Sequence, residues 1–391
     1  MLAAISLISV IFQPTILIQL PASVKTYQEI QDRCLDEAQR LRRGITFSVG
    51  MTDASGIAAQ AKWPQWKYFD AVLDGALSRD IPRIRLKIGG GPPIHPTWQA
   101  LNSDQVWNQP NRPPPGKDFA LWARLSEYKQ QLVDRVVYKV KTAGKDPTKL
   151  VEIELSTEPG KGGAGGPWLA ANHRTFAPTD ANTPEGTWDE AFHSELSYEC
   201  RHIDFRGIPV LSPSFTFRDA QSFSTELATF RSPLGDAWRS KVTVWSVNLY
   251  GNISGSRDSS MSSALRNLEQ KARQAIQLMR CQPEIGASAA LSVGETGWTN
   301  QHLNRSGSRQ DELLRGRVLR QSEDLLLSLG FDSVSTYALA EGEYGLFDLN
   351  MRPSEAYKGY TGERESTINR GKIEFNRARI FPFSSRWLAV R

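Results

Sequence analysis

The chain has 391 residues, of which 40% are hydrophobic and 23% are charged, with a net charge of +5 and a pI near 9.0. This composition is that of an ordinary globular protein, and the length fits one large α/β barrel or two domains. The basic residues are dispersed, with no run longer than Arg42-Arg43, so we expect no nucleic-acid partner. No stretch reaches the ~18 uncharged apolar residues of a membrane helix, so we expect no stable membrane insertion.

Cysteine and histidine give no sign of a metal site. Cys34, Cys200 and Cys281 lie far apart and form no CxxC pair, which leaves buried or free thiols with at most one disulfide. The histidines do not cluster at a metal-ligand spacing, and we expect neither a metal nor a cofactor. Eleven tryptophans, with sixteen phenylalanines and ten tyrosines, suit an aromatic-lined groove as well as a core.

The N-terminus has two interpretations. Leu2–Phe12 is apolar and Leu20-Pro21-Ala22 resembles a cleavage site, as in a signal peptide, which would make the protein secreted or extracellular. A signal peptide normally begins with a basic region, whereas the first charge here is Lys25. The competing interpretation makes Thr15–Leu20 a buried strand that follows an N-terminal extension over residues 1–14.

Eight strand-then-helix units follow one another along the chain. The predicted strands are Thr15–Leu20, Ile45–Met51, Ile81–Gly89, Leu150–Ser156, Ile208–Phe215, Val242–Gly251, Ala289–Gly294 and Ser333–Leu339. The predicted helices are Val24–Arg43, Pro64–Ser78, Phe119–Thr142, Trp188–Asp204, Ala220–Arg239, Ser262–Cys281 and Gln310–Leu329, with a last helix from near Pro353. Regular alternation favours a parallel sheet. Eight units predict a single-domain α/β fold, a (β/α)8 TIM barrel over residues 1–391; a doubly wound open sheet is the alternative.

Charged residues alternate with apolar ones along the third and fourth predicted strands. They are Arg83, Arg85 and Lys87 on the third strand and Glu152, Glu154 and Glu158 on the fourth. Side chains alternate faces along a strand, and the helix-facing side of a barrel strand should be apolar, so both sets should point into the barrel. Basic groups opposite acidic ones would offset the cost of burying charge. The alternative is that one of these strands is a solvated edge strand.

The segment Val293–Thr299, VGETGWT, ends the seventh predicted strand with a carboxylate between glycines. Glycines let a ligand approach the backbone closely, and Trp298 offers a flat apolar face of the kind that stacks on a sugar ring. The simpler interpretation is a strand that ends in a turn with a solvated acid, Glu295.

Glu158 and Glu295 end the fourth and seventh predicted strands. Since the carboxyl ends of barrel strands form the active face, the two carboxylates would share one rim. A pair of carboxylates facing one pocket is the machinery of glycoside hydrolysis, and a separation of ~5–5.5 Å gives retention of configuration.

These segments resemble the clan A glycoside hydrolases, which are retaining (β/α)8 enzymes. That family carries Asn-Glu-Pro at the end of strand four, with Glu as the acid/base, and its nucleophilic Glu at the end of strand seven. The matching segments are STEPG around Glu158 and VGETGWT around Glu295, and the resemblance covers the chain from about Ile45 to Tyr360. It implies that Glu158 is the acid/base and Glu295 the nucleophile.

The resemblance also suggests supporting residues. Tyr250 occupies the place of a tyrosine or histidine late on strand six and would donate to Glu295, unless it is a structural aromatic. Tyr337 matches an aromatic on strand eight that lies under the sugar. Arg85 would support the carboxylates, or else form a salt bridge of the barrel core. Thr157 stands where the family has the Asn that holds the substrate's 2-hydroxyl, which leaves that contact unassigned.

Aromatic residues are frequent in the long loops after strands three and four. They are Trp98, Trp107, Trp168, His95 and His173. Such residues over a barrel mouth suit an extended carbohydrate cleft. We therefore expect a monomeric retaining O-glycosidase that is endo-acting on a β-linked polysaccharide. The alternative is a carbohydrate-binding barrel that has kept the cleft without turnover.

Overall fold

Eight parallel strands form a ring at the centre of the molecule. The structure, a computed structural model, describes residues 10–13, 24–48, 66–88, 119–156, 175–176, 186–229, 231, 233–286, 288–337, 339, 344–347 and 352–362. The strands are β1 (Val10–Gln13), β2 (Gly44–Ser48), β3 (Ile84–Lys87), β4 (Val151–Glu154), β5 (Val210–Leu211 and Phe215–Phe217), β6 (Val244–Leu249), β7 (Ala290–Thr296) and β8 (Ser333–Tyr337). Neighbours pair in chain order, and β8 pairs with β1 to complete the ring. The predicted (β/α)8 barrel is confirmed, and the open sheet is excluded.

Helices follow the strands in the order that the sequence predicted. They are α1 (Val24–Arg40), α2 (Trp66–Ser78), α3 (Phe119–Thr142), α4 (Pro147–Leu150), α5 (Trp188–His202), α6 (Ala220–Thr229), α7 (Asp236–Arg239), α8 (Met261–Arg280), α9 (Arg309–Ser328) and α10 (Glu355–Thr361). A short antiparallel ladder joins Thr175–Phe176 to Gly186–Thr187 between β4 and α5. None of the helices in the described ranges combines the length and apolar character needed to cross a bilayer. The three cysteines are free.

The first strand lies earlier in the chain than predicted. Val10 pairs with Val334 of β8, and Phe12 pairs with Ile45 of β2. Residues 10–13, which the sequence assigned to an N-terminal extension, therefore form β1, and the predicted strand Thr15–Leu20 lies outside the described residues. Both segments are short apolar runs, and their composition does not say which of them finds the backbone partners.

Proline accounts for two interruptions of the predicted elements. Pro213 divides β5, because proline has no N–H to donate to a neighbouring strand. Beside this interruption, the backbone N–H of Ser246 on β6 donates to the hydroxyl of Ser212 at 2.9 Å. The helix predicted over residues 220–239 ends at Thr229, and a 3-10 turn that begins at Pro233 separates α6 from α7.

The interior of the barrel carries paired charges, as the alternation predicted. Arg85 lies opposite Glu152, and Lys87 lies opposite Glu154, in the register of β3 and β4. All four side chains are buried, and Arg85 is 0% exposed. The apolar residues that alternate with these charges face the other way. Leu86 and Ile153, for example, belong to the core between the strands and the helices.

A second buried charge cluster, centred on Glu323 of α9, joins this helix to its neighbours in the barrel. The carboxylate of Glu323 accepts hydrogen bonds from Thr336 at 2.6 Å, from the Tyr360 hydroxyl at 2.8 Å and from Arg43 at 3.1 Å. Burial raises the pKa of Glu323 to about 7, against the opposing effect of Arg43 and the hydroxyl donors. Glu323 thereby links α9 to β8, to α10 and to the segment before β2.

The raised pKa of Glu323 predicts a pH dependence of stability. Between its usual pKa of 4.5 and about 7, the folded chain holds a proton that the unfolded chain releases, so stability falls as pH rises through this window. This shift corresponds to about 3 kcal/mol. We expect the melting temperature of the wild type, relative to that of Glu323→Gln, to decrease across the window. If thermal unfolding between about pH 4 and pH 8 gives a constant difference in melting temperature between the two proteins, the raised pKa of Glu323 is wrong.

Candidate active site

Glu295 lies inside the barrel near the carboxyl end of β7, where its side chain is 8% exposed. Its Oε1 accepts a hydrogen bond from Lys87 Nζ at 2.6 Å, and its Oε2 accepts one from the Tyr250 hydroxyl at 2.8 Å. Lys87 is the last residue of β3 and Tyr250 directly follows β6. Two side chains, one on β3 and one directly after β6, therefore fix this carboxylate through both of its oxygens. The expected hydrogen bond from Tyr250 to Glu295 is present.

A β-bulge turns Glu295 toward the interior. Ser292 faces inward, since its hydroxyl accepts from Arg85 at 2.7 Å, so strict alternation would turn Glu295 outward. Val293 pairs with Val247 of β6, but the next pair is Glu295 with Asn248, so β7 has one residue more than β6 there. The register against β8 shifts in the same place. Such an extra residue re-aims the side chain that follows it.

The two glycines beside Glu295 are required by close packing. A Cβ atom on Gly294 would lie 2.2 Å from Ser214 Oγ and 2.7 Å from Asn248 Oδ1. One on Gly297 would lie 2.4 Å from the backbone oxygen of Tyr337. These distances are far below van der Waals contact, so any larger residue would displace a neighbouring strand or its side chains.

Trp298 does not face a ligand, contrary to the expectation that it stacks on a sugar ring. Its side chain is 0% exposed, and its Nε1 donates to the hydroxyl of Ser322 on α9 at 2.9 Å. A Cβ on Gly251 would lie 2.0 Å from the indole, so the ring is packed against bare backbone. Trp298 is therefore a core residue that anchors the segment after β7 to the helix layer.

Arg85 lies deeper in the barrel than Glu295. Its Nε donates to Glu152 at 2.5 Å, and its Nη2 donates to the hydroxyls of Ser292 at 2.7 Å and Ser333 at 2.9 Å. Glu154 lies 3.9 Å from its Nη1. The partners of Arg85 in the described part of the chain do not include Glu295. Arg85 therefore forms a salt bridge of the barrel core, which is the alternative that the sequence left open. The cation that contacts Glu295 is Lys87.

An aromatic cluster surrounds Tyr250. The ring of Tyr344 lies 5.8 Å from that of Tyr250 and 5.3 Å from that of Tyr337. The His302 ring lies 5.7 Å from Tyr344. All four side chains are half-buried, so the strand-eight aromatic Tyr337 lies in one group with the tyrosine that holds Glu295.

Arg315 of α9 holds this aromatic cluster in place. It donates to the backbone oxygens of Tyr344 at 2.9 Å and Gly345 at 2.7 Å, and to that of Trp298 at 3.3 Å. It thus ties the segment after β8 to the segment after β7. Nothing in the sequence around Tyr344 or His302 signals their place beside Tyr250, whereas the position of Lys87 follows from the alternation along β3.

Several predicted site residues lie outside the described residues. They are Thr157, Glu158, His95, Trp98, Trp107, Trp168 and His173. The chain is described as far as Ser156, which is buried and accepts a hydrogen bond from the backbone N–H of Ser214 at 2.9 Å. Among the described side chains, no group of three or more His, Cys, Asp or Glu residues is arranged to hold a metal ion.

Comparison with known proteins supports the fold. No family model matches the chain, and no curated protein matches it. A family 5 xyloglucanase from Paenibacillus pabuli is similar in structure, with 11% identity, a TM-score of 0.51, and 92% of this chain and 99% of that one covered. A broad-specificity endoglucanase from Clostridium acetobutylicum has 11% identity and a TM-score of 0.49, with 88% and 91% covered.

An endoglucanase from the hyperthermophilic Thermotoga maritima is similar to the same degree, with 13% identity, a TM-score of 0.49, and 85% and 88% of the two chains covered. At these identities the likeness shows the fold alone. The chain shares the (β/α)8 barrel of the Paenibacillus xyloglucanase, so the fold that the resemblance implied is confirmed.

The crowding at Gly294 gives a test of the bulge. We expect Gly294→Ala to destabilise the protein by roughly 1–3 kcal/mol, as overpacking does in a tight core. In a Ser214→Ala background the same change should cost less, because the nearest clashing atom, Ser214 Oγ, is gone. Chemical denaturation of the four proteins of this double-mutant cycle measures both effects. Equal costs in the two backgrounds would show that the strands do not pack as described.

Proposed function

We propose that the chain is a retaining glycoside hydrolase that cleaves O-glycosidic bonds, with Glu295 as nucleophile and Glu158 as acid/base. The observation that carries the proposal is the setting of Glu295. Its carboxylate is held by an ammonium and a phenol at the carboxyl end of a barrel strand, which is the face where barrel enzymes place their chemistry. An ordinary core carboxylate has no need of the bulge that turns it inward.

The contacts of Glu295 leave it able to attack. An ionised carboxylate has about four lone-pair sites, and Lys87 and Tyr250 each take one of them. A free lone pair can therefore bond to the anomeric carbon while the glycosidic C–O bond breaks and Glu158 gives its proton to the leaving oxygen. Water then cleaves the glycosyl ester, and Glu158 takes back a proton.

The direction of β4 supports the role of Glu158. Glu154 points into the barrel, where it contacts Ser214 at 2.7 Å. Alternation over the next residues would put Ser156 and Glu158 on that face, with Glu158 at the rim that Glu295 reaches. Retention requires the two carboxyl groups to lie ~5–5.5 Å apart.

We propose that the substrate is a β-linked polysaccharide cleaved within the chain. The aromatic cluster beside Glu295 and the tryptophan-rich loops after β3 and β4 would bind sugar rings through their flat faces. The Paenibacillus enzyme with the similar fold is named as a xyloglucanase, an enzyme that acts on such a polymer. Hydrolysis of β-glucans, mannans, xylans and galactans by the purified chain tests this, with product anomers read by NMR. Binding of oligosaccharides without any turnover would identify a carbohydrate-binding barrel instead.

The two carboxylates should respond differently to replacement. Glu295→Gln should abolish turnover on every substrate, because no nucleophile remains. Glu158→Gln should regain activity on an aryl glycoside with an acidic phenol as leaving group, because that group needs little protonation. Steady-state kinetics on one activated and one unactivated substrate measure the difference. Identical behaviour of the two variants on the activated substrate would refute the assignment of roles.

Replacement of Tyr250 tests the hydrogen bond to Glu295. Tyr250→Phe should lower kcat by at most ~2 decades, since a charge-assisted hydrogen bond contributes roughly 1.5–3 kcal/mol. The acid limb of the pH–rate profile should move to higher pH, because a carboxylate that loses a donor holds its proton more tightly.

Tyr357→Phe is the matched control for this variant. The Tyr357 hydroxyl also donates to a carboxylate, that of Glu37 at 2.5 Å, but between α10 and α1. Its loss should lower the melting temperature and leave the acid limb in place. If Tyr250→Phe behaves in the same way, Tyr250 is a packing residue.

A further inference from the structure

Lys87 lies between two carboxylates inside the barrel. Its Nζ is 2.6 Å from Oε1 of Glu295 and 4.0 Å from Oε1 of Glu154, and its side chain is 2% exposed. We propose that Lys87 is a positioning residue that holds Glu295 ionised and aimed for attack, and that its ammonium pairs with Glu154 while Glu295 is esterified. The inference rests on the proposed function and adds to it the group that balances the charge of the nucleophile.

The position of the ammonium is fixed by its neighbours. Lys87 and Glu154 are partners in the β3–β4 register, and Oε1 of Glu154 also accepts from the Ser214 hydroxyl at 2.7 Å. Ser214 in turn shares a hydrogen bond of 2.7 Å with Ser246 of β6. Glu154 is therefore held directly by Ser214 and indirectly by Ser246. Lys87 thus has a hydrogen-bonded carboxylate on one side and Glu295 on the other.

The reaction changes the charge on only one of these two carboxylates. When a Glu295 oxygen bonds to the anomeric carbon, the glycosidic C–O bond breaks and the leaving oxygen takes the proton of Glu158, so Glu295 becomes a neutral ester. A buried ammonium without a counter-charge is costly. Glu154, at 4.0 Å, supplies that charge during the lifetime of the ester, and the ammonium returns to Glu295 when water releases the sugar.

Lysine suits this exchange better than arginine does. An ammonium is compact, and its three donors rotate on a flexible stem, whereas a guanidinium is a rigid planar fork. A small rotation of the lysine side chain moves Nζ from Oε1 of Glu295 to Oε1 of Glu154 without a change in the backbone. A guanidinium in the same buried space would keep the charge but could not re-form both contacts by rotation alone.

Three variants test the role of Lys87. Lys87→Met should move the acid limb of kcat/KM to higher pH, because the cation 2.6 Å from the Glu295 carboxylate is lost. Its kcat should fall roughly 10- to 100-fold with little change in KM. Lys87→Arg should keep most of the acid limb while kcat still falls. Lys129→Met is the control, since Lys129 is a buried lysine 2.5 Å from Glu199 between α3 and α5; it should lower the melting temperature only.

Two further measurements separate this inference from the proposed function. An activated 2-deoxy-2-fluoro aryl glycoside should label Glu295 of the wild type, as peptide mass mapping would show. A thermal-unfolding cycle of Lys87→Met, Glu295→Gln and the double variant should give a coupling at neutral pH that disappears in acid. Labelling together with an unmoved acid limb in Lys87→Met, or with no coupling, would overturn the role of Lys87 alone. Absence of labelling would overturn the proposed function, and the role of Lys87 with it.

Discussion

Charge buried within the strand ring constrains this molecule more than any other feature. Arg85 and Lys87 enter the ring from β3, and Glu152 and Glu154 enter it from β4. Because an unpaired charge in such a place would be prohibitive, these two strands must stay in one register. Ser292 of β7 and Ser333 of β8 supply hydroxyls to Arg85. Ser214, between the two stretches of β5, supplies one to Glu154 and shares a hydrogen bond with Ser246 of β6. The polar interior therefore fixes the relative heights of most of the strands.

The candidate site is an extension of this interior network. Lys87 belongs to the network through Glu154 and to the site through Glu295. The nucleophile candidate is thus not placed on a separate loop above the barrel but is attached to its rigid centre. A site built on strands in this way holds its geometry more closely than one carried by loops alone. The aromatic cluster, held by Arg315 from the outer helix layer, forms the other side of the site.

The sequence predicted the features that follow a simple period. Alternation along β3 and β4 was enough to place four charges inside the barrel, and the strand count placed Glu295 at a carboxyl end. It could not predict the bulge at Gly294, because an extra residue in β7 is defined only against the register of β6 and β8. The prediction that Trp298 stacks on a sugar was wrong for the same reason, because the direction of its side chain depends on the path of the chain after the bulge. The first strand was misplaced because two apolar runs were equally suitable.

The closure of the ring has a consequence for the way the chain folds. Val10 and Val334 are neighbours in the sheet, although nearly the whole barrel separates them in sequence. During synthesis on the ribosome, β1 to β7 can assemble only as an open sheet, with the backbone groups of β1 and β7 exposed along its two edges. Such long-range pairing is slow to form. Until β8 emerges, the nascent chain therefore carries two unpaired strand edges, which are the kind of surface that promotes aggregation.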